Sequence, residues 1–324
     1  MEHRDYVSSK LGAIKWLSIN SNNTDPESGR FWVTGTYDHR ENEIAVWTMA
    51  KDDADTADKE QLSTFSTLKW IKFRPAARNF ANVEKNFFAA SFDEDGFGLF
   101  RFSLDKGILL SNFFDVSLKI GHHDSTGIIV KSYDEIISCG HDGRLVFINL
   151  QNGHVRATDA LDTSSILCMD QLSPHEFIFG TRFGIMKVFD TRTNKSEIKI
   201  NAVQYGSTTS LKRNPHISHY IASGTNSGTL CAWDLRNIEN CQVRQLITHT
   251  ATLNQIQYSD NQPNLLFTSS YDGKLCKWDV GNNFKLKSVS TIVDRSGSLP
   301  INCFDLNSSN EIVAASDFEL YYVS

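Results

Sequence analysis

Catalytic signatures are missing from this sequence. G-x-S-x-G, H-E-x-x-H, G-x-G-x-x-G and the P-loop do not occur, and Gly273-Lys274 lacks the glycine that a P-loop sets five residues before Gly273. The common nucleophile-elbow hydrolases, zincins, dinucleotide enzymes and P-loop NTPases are thereby excluded. No run approaches the roughly 18 apolar residues of a membrane span. The opening segment carries Glu2, Arg4 and Asp5 in place of the apolar stretch of a secretory signal. The expectation is a cytosolic or nuclear chain with no membrane insertion, in which the N-x-S/T triplets at Asn22, Asn194 and Asn307 carry no glycan. Cysteine is sparse, six residues without a C-x-x-C pair, and five of them sit among strand-like residues. Inert core thiols are expected. A surplus of basic residues is also absent: 32 Lys and Arg against 38 Asp and Glu give a formal charge of −6, which argues against direct nucleic-acid binding. Helical periodicity is weak throughout, which disfavours the α/β classes.

What the sequence does contain is a repeat. The clearest copies are YIASGTNSGTLCAWDLR, residues 220–236, and LLFTSSYDGKLCKWDV, residues 265–280. Each is an apolar run, a turn rich in Gly, Asn, Ser or Asp, and a second alternating run ending in Trp-Asp. This is the pattern of a β-hairpin, because the turn residues permit the backbone angles and alternation gives each strand two faces. Further copies are anchored on Trp47, Phe102, Ile148, Phe189 and Val323, so that successive anchors lie 55, 46, 41, 44, 45 and 45 residues apart. A period near 40–45 residues is that of WD-type propeller blades, each a four-stranded sheet. The long first interval holds KDDADTADKE, residues 51–60, read as a solvated loop extension. The fold expected is all-β, a seven-bladed WD40 β-propeller forming one domain over residues 1–324. Its last blade has three strands before Ser324, so the N-terminal segment, residues 4–9, is expected to supply the fourth. Blade 7 is then shared between residues 1–10 and 300–324, which removes two open sheet edges. A chain of 324 residues buries roughly 75% of its unfolded surface, so no cofactor or disulfide is needed for stability.

Three residue groups are candidates for function or for structural chemistry. His249, Ser269, Asp272 and Trp278 occur in the order that WD repeats use for a buried hydrogen-bonded tetrad; a Ser-His-Asp hydrolase triad is disfavoured because the Trp belongs to the set. His122-His123-Asp124 superficially suggests a metal site, yet it falls where WD repeats place a Gly-His pair, and no metal is expected. The turns joining the second and third strands of each blade surround one end of a propeller's channel. The corresponding residues are Tyr37, Phe92, His141, Arg182, Asn226 and Tyr271, with the aromatic and Arg content of interface hot spots. The expectation is that this rim contacts a protein partner; the alternative is that each ring packs on its own hairpin.

End to end, the chain resembles the small WD-repeat nucleoporin family, the forty-three-kilodalton subunit of the Y-shaped nuclear pore scaffold. The resemblance is carried by YVSSKLGAIKW (6–16), by TGTYDHRENEIAVWTM (34–49) with its glycine-free turn, by EIISCGHDGRLVF (135–147), by the two Trp-Asp hairpins, and by SLPINCFDL and DFELYYVS at the close. It implies a non-enzymatic structural subunit, a monomeric propeller within a hetero-oligomer, held on the short arm by a helical-solenoid nucleoporin. It also implies a nuclear-envelope location supporting transport, and presence at kinetochores in mitosis. The connection to the last blade, residues 279–300, is shorter than in the longer relatives, so contacts made through an insertion there are not carried over. A second reading comes from Phe189-Asp190-Thr191-Arg192 and Trp233-Asp234-Leu235-Arg236, which resemble the W-D-x-R boxes that substrate receptors of cullin ubiquitin ligases present to their adaptor. Its alternative is that Arg192 and Arg236 stabilise the loops after their strands.

Overall fold

The computed structural model describes residues 2–7, 9–17, 30–37, 42–49, 65–73, 77–92, 96–103, 106–115, 125–132, 134–238, 241–281, 284–297 and 299–324. The acidic stretch 51–60, the triplet at Asn22 and the His122-His123-Asp124 cluster lie outside them. Apart from one turn of 3-10 helix at Val203–Tyr205, the regular structure of the described residues is strand.

The strands form seven antiparallel sheets of four. Blade 1 is β2 (Leu11–Trp16), β3 (Phe31–Thr36), β4 (Asn42–Met49) and β5 (Phe65–Phe73). Blade 2 is β6 (Ala77–Glu84), β7 (Phe87–Phe92), β8 (Gly96–Ser103) and β9 (Gly107–Asp115). Blade 3 follows with β10 (Ser125–Ser132), β11 (Glu135–Gly140), β12 (Leu145–Asn149) and β13 (Val155–Ala157), and blade 4 with β14 (Ile166–Gln171), β15 (Glu176–Thr181), β16 (Ile185–Asp190) and β17 (Lys195–Asn201). Blade 5 is β18 (Thr208–Arg213), β19 (Tyr220–Thr225), β20 (Thr229–Asp234) and β21 (Gln242–Ile247); blade 6 is β22 (Leu253–Tyr258), β23 (Leu265–Ser270), β24 (Lys274–Val280) and β25 (Leu286–Asp294). In each case the first strand is innermost.

Blade 7 joins the two ends of the chain. Its sheet order runs from β1 (Glu2–Tyr6) through β28 (Glu319–Val323) and β27 (Ile312–Ser316) to the inner strand β26 (Ile301–Leu306). Strand β1 pairs with β28 from Glu2 opposite Val323 to Tyr6 opposite Glu319. The expected N-terminal closure is therefore present, two or three residues earlier than the sequence suggests. It converts two free edges into a ladder.

The hairpin between the second and third strands explains the recurring glycine. Gly273 has φ +83°, and a Cβ there would stand 2.6 Å from the Arg295 carbonyl oxygen. Only glycine meets both conditions.

The core is a set of seven apolar layers, each between neighbouring blades. Sheets whose two faces are both covered show runs of buried residues in place of strict alternation, as in the fully buried β3, β19 and β23. All six cysteines lie in these layers as free thiols. Burial pushes Cys139 and Cys231 up to about 12, where no thiolate forms at neutral pH.

Candidate functional site

Every inner strand carries a bulge at its second residue, opposite the end of the second strand. A bulge re-aims one side chain, and here it brings Gly12, Arg78, Thr126, Leu167, Thr209, Asn254 and Asn302 to the wall of a central cavity of about 480 Å³. Four of these residues are used in the same way. Thr126 Oγ1 donates to the Ile166 carbonyl at 2.7 Å, Thr209 Oγ1 to Leu253 at 2.6 Å, Asn254 Nδ2 to Ile301 at 2.9 Å and Asn302 Nδ2 to Leu11 at 2.8 Å. Each bond runs from one blade to the first inner-strand residue of the next. The Cys168 thiol makes the corresponding contact with the Thr208 carbonyl at 3.4 Å.

Deeper in the channel, two buried carboxylates repeat a second device. Asp170 accepts from Lys212 Nζ at 3.0 Å and from the Arg213 amide at 2.7 Å. Asp305 accepts from Lys15 Nζ and from the Trp16 amide, each at 2.8 Å, and from Gln257 Nε2 at 3.1 Å. The Asp170 carboxylate raises the Lys212 pKa and keeps it charged. These channel side chains join neighbouring blades, and among the described residues they converge on no nucleophile with a base beside it. Among the described residues no group of three His, Cys, Asp or Glu is placed to hold a metal ion.

The rim residues divide. Tyr271 is 55% exposed, and His141, Arg182 and Asn226 are exposed on their turns. Asn226 Oδ1 accepts from the Ser207 amide at 3.0 Å and so steadies a neighbouring loop. Tyr37 is half-buried: its hydroxyl donates to Asp317 Oδ1 at 2.8 Å, and Lys10 Nζ lies 5.7 Å from the ring centre. Burial, then the Asp317 carboxylate, pushes its phenol pKa well up.

Phe92 is a correction: it is fully buried, in the layer between blades 1 and 2, against Phe100. It is the last residue of β7, still paired with Ala77, and the turn position equivalent to Tyr271 is 93, outside the described residues. The missed rim residue is Phe183, 63% exposed beside Arg182, with Val203 also exposed next to it. Its signal was in the sequence: the other described turns with a glycine one residue on carry Asp or Ser at that position (Asp142, Ser227, Asp272), and a large apolar residue there has no core to enter.

The blade 6 tetrad also needs correction. Trp278 Nε1 donates to Thr268 Oγ1 at 2.9 Å, Thr268 Oγ1 lies 2.8 Å from His249 Nε2, and His249 Nδ1 lies 3.0 Å from Asp272 Oδ2. The hydroxyl is Thr268, whereas Ser269 Oγ is buried without a hydrogen-bond partner. Trp278 pairs with Leu266, so the residue two further along β23 shares its face and Ser269 points to the other. Trp233 to Ser223 and Trp47 to Thr34, each 2.8 Å, follow the same geometry. Burial lowers the His249 pKa against the opposing pull of Asp272, so the ring is neutral.

On the opposite face from the rim turns, Arg192 grips Asp190 and Arg236 grips Asp234. In each pair Nε and Nη2 both reach the carboxylate, the shortest contacts being 2.7 and 2.6 Å. Arg192 holds Asp190 down at about 2. The arginines are 62% exposed, but two of their donors are directed at their own loops.

Comparison with known proteins agrees with this architecture. The WD domain, G-beta repeat family matches residues 240–279, the blade that carries the tetrad. Mouse "Nucleoporin Nup43" is 30% identical over 167 residues, covering 50% of this chain and 43% of that protein. The chain is a seven-bladed propeller with a WD repeat, similar to Nup43. Human "Nucleoporin Nup43" is 29% identical over the same length, and "Nuclear pore complex protein nup43" of Dictyostelium discoideum is 24% identical over 210 residues, covering 57% of this chain and 50% of that protein. The chain spans about half the length of the curated Nup43 relatives it matches.

Proposed function

We propose that this propeller is a non-enzymatic structural subunit of the nuclear pore, part of its Y-shaped scaffold. It resides at the nuclear envelope, supports pore assembly and transport, and acts at kinetochores in mitosis. The observation that carries the reading is the similarity to Nup43 proteins of mouse, human and Dictyostelium on a seven-bladed framework. The channel adds support, because Thr126, Thr209, Asn254, Asn302, Asp170 and Asp305 there bond to a neighbouring blade. The partners are other nucleoporins, chiefly the helical-solenoid subunit of the short arm. The contact surface is the rim, with Tyr271, Phe183 and Arg182 as its exposed anchors and Tyr37, His141 and Asn226 around them. Affinity purification of the tagged protein from interphase cells, with mass spectrometry of stoichiometric partners, tests this. Recovery of Y-complex nucleoporins supports it, and recovery of a cullin adaptor without them overturns it in favour of a ligase receptor. That second reading draws on the matching exposed arginines of adjacent blades, Arg192 and Arg236. It predicts that reversing their charge abolishes adaptor binding; the scaffold reading predicts little change in pore incorporation.

A further inference from the structure

The charged side chains that face the channel stand at two levels. At the bulge level, beside the rim turns, Arg78 is the one charged residue of the seven on the cavity wall, and it is exposed there. Three residues further along the inner strands, about 10 Å at the usual rise of ~3.3 Å per residue, the ring carries Lys15 and Asp305 from blades 1 and 7, Lys212 and Asp170 from blades 5 and 4, and Gln257 from blade 6. These charges cancel in number but not in placement. The side chains of Lys15 and Lys212 are 32% and 42% exposed, while those of Asp305 and Asp170 are 3% and 9% exposed. Both oxygens of each carboxylate are taken, one by its lysine and the other by a backbone amide, that of Trp16 or of Arg213. Among the described residues each ammonium spends one N–H on its carboxylate, and both lysines line the cavity. Asp317, on the blade 7 turn, has Oδ1 occupied by the Tyr37 hydroxyl and by Asn302 Nδ2, each at 2.8 Å. The charge that the lumen presents is therefore mainly positive.

We propose that the channel is a binding site for a short chain of phosphoryl groups, one end against Arg78 and the other between the Lys15 and Lys212 ammoniums. The site goes beyond the scaffold reading and does not depend on it. Blades 1 and 5 stand on nearly opposite sides of the ring, so the two lysines reach into the lumen from opposing walls. The Asp305 carboxylate acts on both of them, by a hydrogen bond from Lys15 and through space on Lys212. Donors that arrive from around an axis suit a tetrahedral group, whose oxygens point in several directions; a planar carboxylate is matched by a single arginine fork. The separation of the two levels calls for more than one phosphoryl group, and a cavity of about 480 Å³ has room for such a chain. Tyr271 of the rim lines the same cavity, so the site opens among the rim turns.

Isothermal titration calorimetry of the purified chain with inorganic tripolyphosphate, at an ionic strength held constant with potassium chloride, tests this. Saturable one-to-one binding is expected, with orthophosphate weaker by about tenfold or more because a single group cannot reach both levels. Arg78→Ala should weaken tripolyphosphate binding by roughly tenfold and Arg78→Lys by far less, whereas Arg244→Ala, on the outer strand of blade 5, should leave it unchanged. Lys212→Gln keeps a donor to Asp170 while removing the charge, and it should weaken binding by roughly tenfold in a chain whose circular dichroism matches the wild type. No saturable binding at millimolar tripolyphosphate, equal affinity for orthophosphate, or an affinity indifferent to Arg78→Ala and Lys212→Gln would each overturn the proposal. Tighter binding of a hexaglutamate peptide would overturn it too, by giving the channel to an acidic segment of a protein partner.

Discussion

The sixth blade and the seam between blades 7 and 1 reach stability by different routes. Blade 6 carries a network within one repeat: Trp278, Thr268 and Asp272 lie on its β23–β24 hairpin, and His249, from the connection ahead of β22, closes on them. The seam is held by contacts between opposite ends of the chain. Beyond the β1–β28 ladder, Lys15 meets Asp305, Tyr37 meets Asp317, and Trp16 packs against Trp32 and Tyr322. Arg30 reaches Glu311 at 2.6 Å, and the Tyr322 hydroxyl donates to that same carboxylate. Blade 7 lacks the Trp-Asp signature altogether, and its Glu319 pairs with Arg295 and Arg4 and accepts from the Tyr321 hydroxyl. Blade 6 adds this internal network to the bonds that join it to blades 5 and 7, whereas blade 7 has only its junctions and its own ladder to rely on. Closing a loop of the whole chain length carries a large entropic cost, which explains why the ladder, aromatic cluster and ion pairs gather at this one junction.

The largest effect should come from breaking the seam itself. Removing residues 1–10 strips β1 from β28 and reopens both edges. The expected loss exceeds about 4 kcal/mol, with unfolding in urea becoming less cooperative; a cooperative transition within 1 kcal/mol of the wild type, on the order of a surface substitution, would show that the ring closes without β1. Next is Asp305→Ala, which leaves Lys15 and the Trp16 amide without their buried acceptor, at about 3–5 kcal/mol in the same assay. In blade 6, Thr268→Val should cost about 2 kcal/mol by leaving the Trp278 indole and His249 Nε2 without a partner, whereas Ser269→Ala should be close to neutral because Ser269 Oγ has none to lose. Equal effects of these two changes would contradict the face assignment.

A pH titration sharpens the comparison further. The folded pKa of His249 is lowered, so the unfolded chain binds its proton more readily. This contribution to stability is complete above the ordinary histidine value of about 6.5 and is lost as pH falls through the lower folded value. The melting temperature should decline over that interval, and less steeply in His249→Gln. The smallest effect on stability belongs to the rim: Tyr271→Ala and Phe183→Ala should shift unfolding by within about 0.5 kcal/mol while reducing recovery of partners.

Much of this was legible in the residues, and the failures are of one kind. The repeat anchors, the hairpins and the N-terminal closure follow from alternation and spacing, which are local. Phe92 and Ser269 were each misplaced by one residue, and a one-residue error in a strand turns a side chain to the wrong face. In blade 2 the next glycine, Gly96, follows the end of β7 by four residues, against three at Gly143, Gly184, Gly228 and Gly273, so the spacing of the turn did not locate the strand end. The bulge residues of the inner strands were not legible at all. Thr126, Thr209, Asn254 and Asn302 look like ordinary strand residues, and their role appears only when the next blade's carbonyl stands before them.

The sequence by itself determined the number of blades, the strand order within each, the places where glycine must turn the chain and the burial of the cysteines. Those properties depend on backbone angles and alternating faces within one repeat. Tertiary structure alone decided how neighbouring blades are joined through the channel and how the divergent last blade is held. These contacts link residues a full repeat or a full chain apart, and strand spacing carries no information about what will stand across a junction formed only when the ring closes.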